Sequence, residues 1–188
     1  MAASDRNKLI YYATVCLEHG LYNKTIGYMK QVAQTGVDLN MDERNLIFEA
    51  YVGKQTPLVN ILNILSDPYH SDDTGKKLIA ETKKDLCVNC NKLNKLTKKL
   101  LLQENTSKET EADYKYWIGI QHSIKALLKT KIETIKWETS EALNFLVDAL
   151  SIATDNLQDV NPVRVKIEKG FDKFYNANKA NNFYRFSV

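Results

Sequence analysis

The sequence has 188 residues, of which 44% are hydrophobic and 26% are charged, with a net charge of +3. These values are typical of one globular domain and are too weakly basic for a dedicated nucleic-acid-binding protein, so we expect no nucleic-acid partner. No signal peptide and no apolar run of about 20 residues is present, and there are three cysteines, so we expect no membrane association and a reducing, cytoplasmic location.

The chain is predicted to be all-helical. Proline and glycine are scarce, at 3 and 7 residues, and no segment sustains the alternation of apolar and polar residues that strands require. Ser4 is the expected cap of a first helix that ends at Gly20. A second helix is predicted over residues 21–34, closed by Gly36.

The third helix has the clearest start signal. Asn40 can cap it, and Glu43, three residues later, can reach back to the cap. Pro57 is expected to end this helix early or to kink it, although its apolar positions continue to Leu65. The inward face is predicted to contain Leu46, Ile47, Ala50 and Tyr51.

Four further helices follow in the second half of the chain. The fourth should run from residues 71–73 to about Leu102, and the fifth should follow the polar segment 104–108 and could merge with Ile132 and Ile135. Thr139 or Ser140 is the expected cap of the sixth helix. Pro162 suits the first position of the seventh, where its missing N–H does no harm.

Several of these segments resemble the 14-3-3 proteins. The third helix carries Glu43-Arg44-Asn45-Leu46-Ile47 and then Ala50-Tyr51, as the third helix of that family does. Similar segments are Lys84 to Cys87, Asp113 to Tyr116 and Asn161 to Arg164. The resemblance covers roughly residues 5–176 and implies an all-α antiparallel helix bundle of 14-3-3 type with about seven or more helices. The expected division is a domain over residues 1–176 and a tail over 177–188, since the last two helices of the family have no counterpart here.

The resemblance also implies a binding site for phosphoserine or phosphothreonine peptides. In the family an Arg and a Tyr of the fifth helix bind the phosphate, and Lys115 and Tyr116 match them. Without gaps, a family Lys and Arg of the third helix fall at Val52 and Val59. If Val52-Gly53 is aligned instead with a Val-Gly pair of the family, the Arg falls at Thr56. Neither register restores the pair, so Lys54 is the cation left nearby. The groove positions held by Leu, Asn and Val in the family are Lys169, Gly170 and Lys173 here. We therefore expect a weakened phosphate pocket formed by Lys54, Lys115 and Tyr116.

Family members dimerise through their first four helices. Leu21 and Lys24 stand where the family has an Arg and an Asp, and the partner positions are near Thr82 and Leu78, so the ion pairs are lost. Because exposed ion pairs contribute only about 0–1 kcal/mol each, we expect a homodimer of altered geometry that rests on apolar contacts.

The last residues predict a regulatory tail. The family also recognises a phosphorylated Ser or Thr that is followed by only one or two residues. Ser187 has such a position, and Arg185 before it is typical of a kinase site. Phosphorylated Ser187, flanked by Arg185, Phe186 and Val188, would resemble a family ligand on the same chain and could compete with phosphorylated partner proteins.

The sequence supports other functions less well than it supports this adaptor. No nucleophile–base pair or phosphate loop appears, so we expect neither an enzyme nor a cofactor. Cys87 and Cys90, with Cys16 and His19, could suggest a zinc site, but helical cysteines at this spacing are more often small buried hydrophobes, and we expect no metal. The remaining alternatives are a 14-3-3-like scaffold that no longer binds phosphopeptides and, outside the family, a helical-repeat protein with a basic groove.

Overall fold

The structure is a computed structural model that describes residues 3–65, 72–103 and 106–180. These residues form seven α-helices, and no strand occurs among them. The all-helical prediction is therefore confirmed. The helices are α1 (Ala3–Glu18), α2 (Tyr22–Ala33), α3 (Met41–Leu65), α4 (Asp73–Leu101), α5 (Lys108–Leu128), α6 (Ile132–Asn156) and α7 (Pro162–Ala180).

Capping hydrogen bonds show how the local sequence determines where helices begin. The Glu43 N–H donates to Asn40 Oδ1 at 3.0 Å, and the Asn40 N–H donates to Glu43 Oε2 at 3.1 Å, which is the reciprocal capping arrangement predicted for α3. Ser107, whose backbone is extended, caps α5 by accepting from the Thr110 N–H at 3.1 Å. Asn161 accepts from the Val163 N–H at 2.8 Å and so caps α7 just before Pro162.

Three boundaries differ from the sequence prediction. α1 begins at Ala3, so Ser4 lies inside it rather than before it. α3 reaches Leu65, as its apolar positions predict, so Pro57 does not end it early; the apolar periodicity on both sides of the proline favours one continuous helix. α6 begins at Ile132 and not at Thr139 or Ser140, and α5 ends at Leu128 without merging with it. Thr139 is partly buried within α6, which shows that packing overrides its preference for a cap.

The chain divides into two compact units, Met1–Leu93 and Asn94–Val188, with the boundary inside α4. In the first unit, α1, α2 and α3 pack together around Met29, Ile47, Phe48 and Tyr51. A bidentate ion pair from Arg6 to Glu43, with both N–O distances at 2.7 Å, also ties α1 to the start of α3.

The second unit is built on α5, α6 and α7. α5 and α6 are joined by only three residues and pack along each other. Gly119 permits their close approach, because a Cβ there would lie 2.7 Å from Leu146 Cγ. The buried residues of this unit include Tyr114, Ile118, Ala142, Leu146, Ala149, Ala153, Ile167 and Phe174.

α7 reaches Ala180, and the division at residue 176 into domain and tail stays a prediction. Arg185, Phe186, Ser187 and Val188 lie outside the described residues. Among the helices that the structure describes, none has both the length and the apolar character that a membrane span needs.

Candidate functional site

Lys115, the predicted phosphate-binding cation, is neutralised by carboxylates in the second unit. Its Nζ lies 3.0 Å from Asp148 Oδ2 on α6 and 3.7 Å from Glu111 Oε1 one turn earlier on α5. The Lys115 side chain is 20% exposed. A phosphate that binds Lys115 must therefore compete with two anionic groups that the hairpin of α5 and α6 already supplies.

Tyr116 follows Lys115 directly but faces α7, because successive residues of a helix point about 100° apart. Its ring lies so close to Gly170 that a Cβ at position 170 would overlap the ring and its hydroxyl oxygen. Burial raises the pKa of the Tyr116 hydroxyl, and the charge of Asp113 raises it further. The Tyr116 hydroxyl is therefore neutral, and the ring packs against α7.

Lys166 completes the surroundings of Tyr116. Its Nζ forms an ion pair with the buried carboxylate of Asp113 and lies 5.8 Å from the centre of the Tyr116 ring and 5.7 Å from that of Trp117. This cation–π arrangement holds a positive charge beside the tyrosine. The sequence prediction missed Lys166; its position four residues after Pro162, one turn into a helix that packs on α5, was the available signal.

A cavity of about 530 Å³ opens beside Tyr116 within the second unit. Its walls are mainly apolar, its two charged groups are lysines, and no acidic side chain lines it. Lys173, one of the predicted groove positions, is one of those lysines. The lining residues are Tyr116, Ile120, Ser123, Ala126, Leu127, Lys129, Ile135, Thr139, Gly170, Lys173, Phe174, Ala177 and Asn178. Such a cavity suits an apolar group that is attached to an anionic one.

Lys54 belongs to the first unit and has different surroundings from those of Lys115. Its Nζ donates to Asn23 Oδ1 at 2.8 Å. Burial lowers the pKa of the Lys54 ammonium, and the charges of Lys92 and Lys30 lower it further. The structure thus brings Lys115 and Tyr116 onto one helix in one unit and gives Lys54 its own cationic environment in the other.

The cysteines have packing roles in the described residues. Cys90 is buried and accepts a hydrogen bond from Gln55 Nε2 at 3.7 Å, and Cys87 accepts one from Asn91 Nδ2 at 3.8 Å. Within residues 3–65, 72–103 and 106–180, no group of three or more histidine, cysteine or acidic side chains is arranged to hold a metal ion.

The described residues form an all-helical fold, and comparison with known proteins shows which proteins the chain is similar to. No family model matches the chain. It is 26% identical over 184 residues to 14-3-3 protein 2 of Entamoeba histolytica, covering 92% of this chain and 75% of that protein. It is 24% identical over 178 residues to 14-3-3 protein zeta of Bombyx mori, covering 91% and 72%. It is 25% identical over 181 residues to the 14-3-3-like protein GF14 epsilon of Arabidopsis thaliana, covering 92% and 71%. The chain is therefore similar to 14-3-3 proteins over about 92% of its length, and this similarity supports membership of the 14-3-3 family.

Proposed function

We propose that this chain is a non-catalytic adaptor that binds peptides containing phosphoserine or phosphothreonine. Lys115 and Tyr116 hold the phosphate in this proposal, and Lys54, which belongs to the first unit, is not part of it. The observation that carries the proposal is the cavity beside Tyr116, whose apolar walls and two lysines suit a phosphopeptide with an apolar flanking residue. Phosphorylated proteins are then the partners, and the cytoplasm is the expected location.

The proposed pocket is weaker than one that contains an arginine, and a comparison of free energies favours phosphate binding that remains. An exposed ion pair such as Lys115 with Asp148 contributes about 0–1 kcal/mol. A charge-assisted hydrogen bond to a phosphate contributes about 1.5–3 kcal/mol, so a dianion can displace the carboxylate. Lysine supplies one point charge instead of the bidentate fork of arginine, which lowers the affinity that remains.

The test is a titration with one peptide in its phosphorylated and unphosphorylated forms, read by calorimetry. We expect binding that depends on the phosphate and falls about tenfold or more in Lys115→Gln. Lys108→Gln is the matched control, since it removes an equal charge from the same helix at an exposed lysine to which the proposal assigns no phosphate contact. Equal binding of the two peptide forms would overturn the proposal.

A second candidate is a scaffold of the same fold that no longer binds phosphopeptides. The contacts of Lys115 with two carboxylates favour it, because a lysine that is already neutralised offers less to a phosphate. The same titration separates the two functions, since only the adaptor distinguishes the phosphorylated peptide.

We further propose that phosphorylated Ser187 acts as a ligand in competition with external peptides, with Arg185, Phe186 and Val188 as its flanking residues. Tethering would raise the local concentration of the tail to about the millimolar range, which offsets a weak pocket. The affinity of an external phosphopeptide is compared in Ser187→Ala and in protein phosphorylated at Ser187. Weaker binding to the phosphorylated protein is expected, and equal binding would contradict the proposal.

A homodimer is also proposed, formed through the first unit. Large apolar side chains are exposed on α1, just before α2 and on α4, namely Tyr11 (65%), Tyr12 (48%), Leu21 (46%) and Leu78 (43%). Burying them in an interface removes apolar area from water at about 25 cal/mol per Å². Sedimentation equilibrium should show a dimer that Tyr12→Glu disrupts, whereas a concentration-independent monomer would exclude it.

A further inference from the structure

The first unit contains a small cationic pocket that the proposed peptide site does not use. It has a volume of about 210 Å³ and is lined by residues of α2, α3 and α4. Three of its lining residues are lysines, contributed by the three different helices. The lining residues are Asn23, Ile26, Gly27, Lys30, Tyr51, Lys54 and Lys92.

The charge of this pocket is not compensated. Lys54 is partly buried and its only hydrogen-bond partner in the described part of the chain is the neutral Asn23. Lys30 and Lys92 line the same small space, and none of the acidic side chains in residues 3–65, 72–103 and 106–180 forms an ion pair with any of the three lysines. Cations that repel each other around a cavity favour the binding of an anion.

The size and the donors indicate which anion fits. A volume of about 210 Å³ corresponds to several water molecules at about 30 Å³ each, which suffices for a phosphate group. A phosphate monoester carries a charge of about −1.5 to −2 and offers three acceptor oxygens. Three ammonium groups and the Asn23 amide can donate to those oxygens, and lysine is a common phosphate ligand as a point charge.

We propose that the pocket of Lys30, Lys54 and Lys92 binds a dianionic phosphate group, either free or carried on a small molecule. Lys54 and Asn23 position the anion at the inner end, and Lys30 and Lys92 neutralise its charge from α2 and α4. The lining residues of this pocket belong to the first unit, whereas Lys115 and Tyr116 belong to the second.

The test is a calorimetric titration of the full chain with inorganic phosphate and with phosphoserine at constant ionic strength. It is made in a Lys115→Gln background, so that the proposed peptide site does not contribute. We expect saturable binding that weakens at least about tenfold in both Lys30→Gln and Lys92→Gln. The matched controls are Lys24→Gln on α2 and Lys84→Gln on α4, which remove exposed lysines that do not line the pocket.

A second variant tests the pocket without removing a lysine. An added Cβ at Gly27 meets no atom within 4 Å, so Gly27→Glu can place a carboxylate beside the lysines, whereas Gly27→Ala leaves the space open. Phosphate binding should be lost in Gly27→Glu and retained in Gly27→Ala, with unchanged circular dichroism in both. Tighter binding of phosphoserine than of phosphate would indicate a carried phosphate, and equal binding a free anion. Absence of saturable binding, or equal weakening by pocket and control lysines, would overturn the proposal.

Discussion

Lys115 and Lys54 are both lysines that the sequence predicts to take part in phosphate binding, yet the molecule surrounds them in opposite ways. Lys115 lies between the carboxylates of Asp148 and Glu111, so its charge is largely compensated before any ligand arrives. Lys54 is partly buried beside Lys30 and Lys92, and burial and repulsion lower the pKa of its ammonium. Affinity for an anion therefore depends on the neighbours of a cation as much as on the cation itself.

The same contrast extends into the interior of the second unit, where Glu138 compensates the charge of the buried Lys125 and forms a hydrogen bond with the buried His122. Its carboxylate lies 2.6 Å from His122 Nδ1 and 3.1 Å from Lys125 Nζ, and all three side chains are almost fully buried. Removal of one partner from a buried ion pair costs about 3–5 kcal/mol, because the remaining charge has no compensation.

We expect Glu138→Ala to lower the free energy of unfolding by about 3–5 kcal/mol, which is the largest effect predicted for this molecule. Urea unfolding followed by circular dichroism measures it. Glu133→Ala is the control, as an exposed acidic residue of the same helix, and should change the free energy of unfolding by less than about 0.5 kcal/mol. A similar loss in both variants would show that the second unit does not depend on this compensation.

Two helical glycines allow a matched comparison of the two regions. At Gly170 a Cβ would overlap the Tyr116 ring, whereas at Gly27 it would meet no atom within 4 Å. Gly170→Ala should lower the free energy of unfolding by about 1–3 kcal/mol through overpacking. Gly27→Ala should raise it by about 0.5–1 kcal/mol, because alanine favours the helix.

Thermal or urea unfolding of both variants measures this difference in sign. Phosphopeptide binding should also weaken in Gly170→Ala, since Tyr116 must move away from α7. If Gly170→Ala were as stable as the wild type, Tyr116 would not be held against α7 as described.

The sequence was sufficient for the all-helical fold and for the cap of α3, because these depend on local signals. Asn40 and Glu43 predict the start of α3 by their spacing alone, and the structure shows both hydrogen bonds. The start of α6 was predicted wrongly, because Thr139 is a good cap by type but the packing of α6 against α5 extends the helix to Ile132.

Local sequence signals do not predict which side chains surround the proposed site residues. Lys115 and Asp148 are 33 residues apart, and Lys166 and Asp113 are 53 apart, so their pairing depends on how α5, α6 and α7 pack. The cationic pocket has the same origin, since each of its lysines comes from a different helix. A sequence pattern identifies the residue type, and only the tertiary structure identifies the partner.

The pH dependence of stability gives a smaller effect in the same cluster. Burial lowers the pKa of the His122 imidazole, and the positive charges of Lys125 and Lys98 lower it further. The hydrogen bond to Glu138 acts in the opposite direction. The buried Nε2 has no hydrogen-bond partner among the described residues, which also favours the neutral ring. The unfolded chain, with a histidine pKa of about 6.5, then binds more protons than the folded chain.

Stability contributed by neutral His122 is therefore present above about pH 6.5 and is lost as the pH falls from there to the lower pKa of the folded state. The loss is at most about 1.4 kcal/mol for each pH unit. Urea unfolding at several pH values measures it, with His122→Gln expected to reduce the slope and the exposed His19→Gln to leave it unchanged. An unchanged slope in His122→Gln would contradict this assignment.

The smallest expected effect tests the comparison between Lys115 and Lys54 directly. Asp148→Asn removes the carboxylate 3.0 Å from Lys115 but keeps the shape of the side chain. Because this ion pair is worth about 0–1 kcal/mol, its loss should raise phosphopeptide affinity by no more than about fivefold. Asp155→Asn, on an exposed position of the same helix where the carboxylate accepts from Ser151, is the control for the change in net charge. Calorimetry should show tighter binding in Asp148→Asn alone, and inorganic phosphate binding in the Lys115→Gln background should not respond to either variant. An unchanged or lower phosphopeptide affinity in Asp148→Asn would show that the carboxylate of Asp148 does not weaken this pocket. The replacement of arginine by lysine would then account for the weak binding by itself.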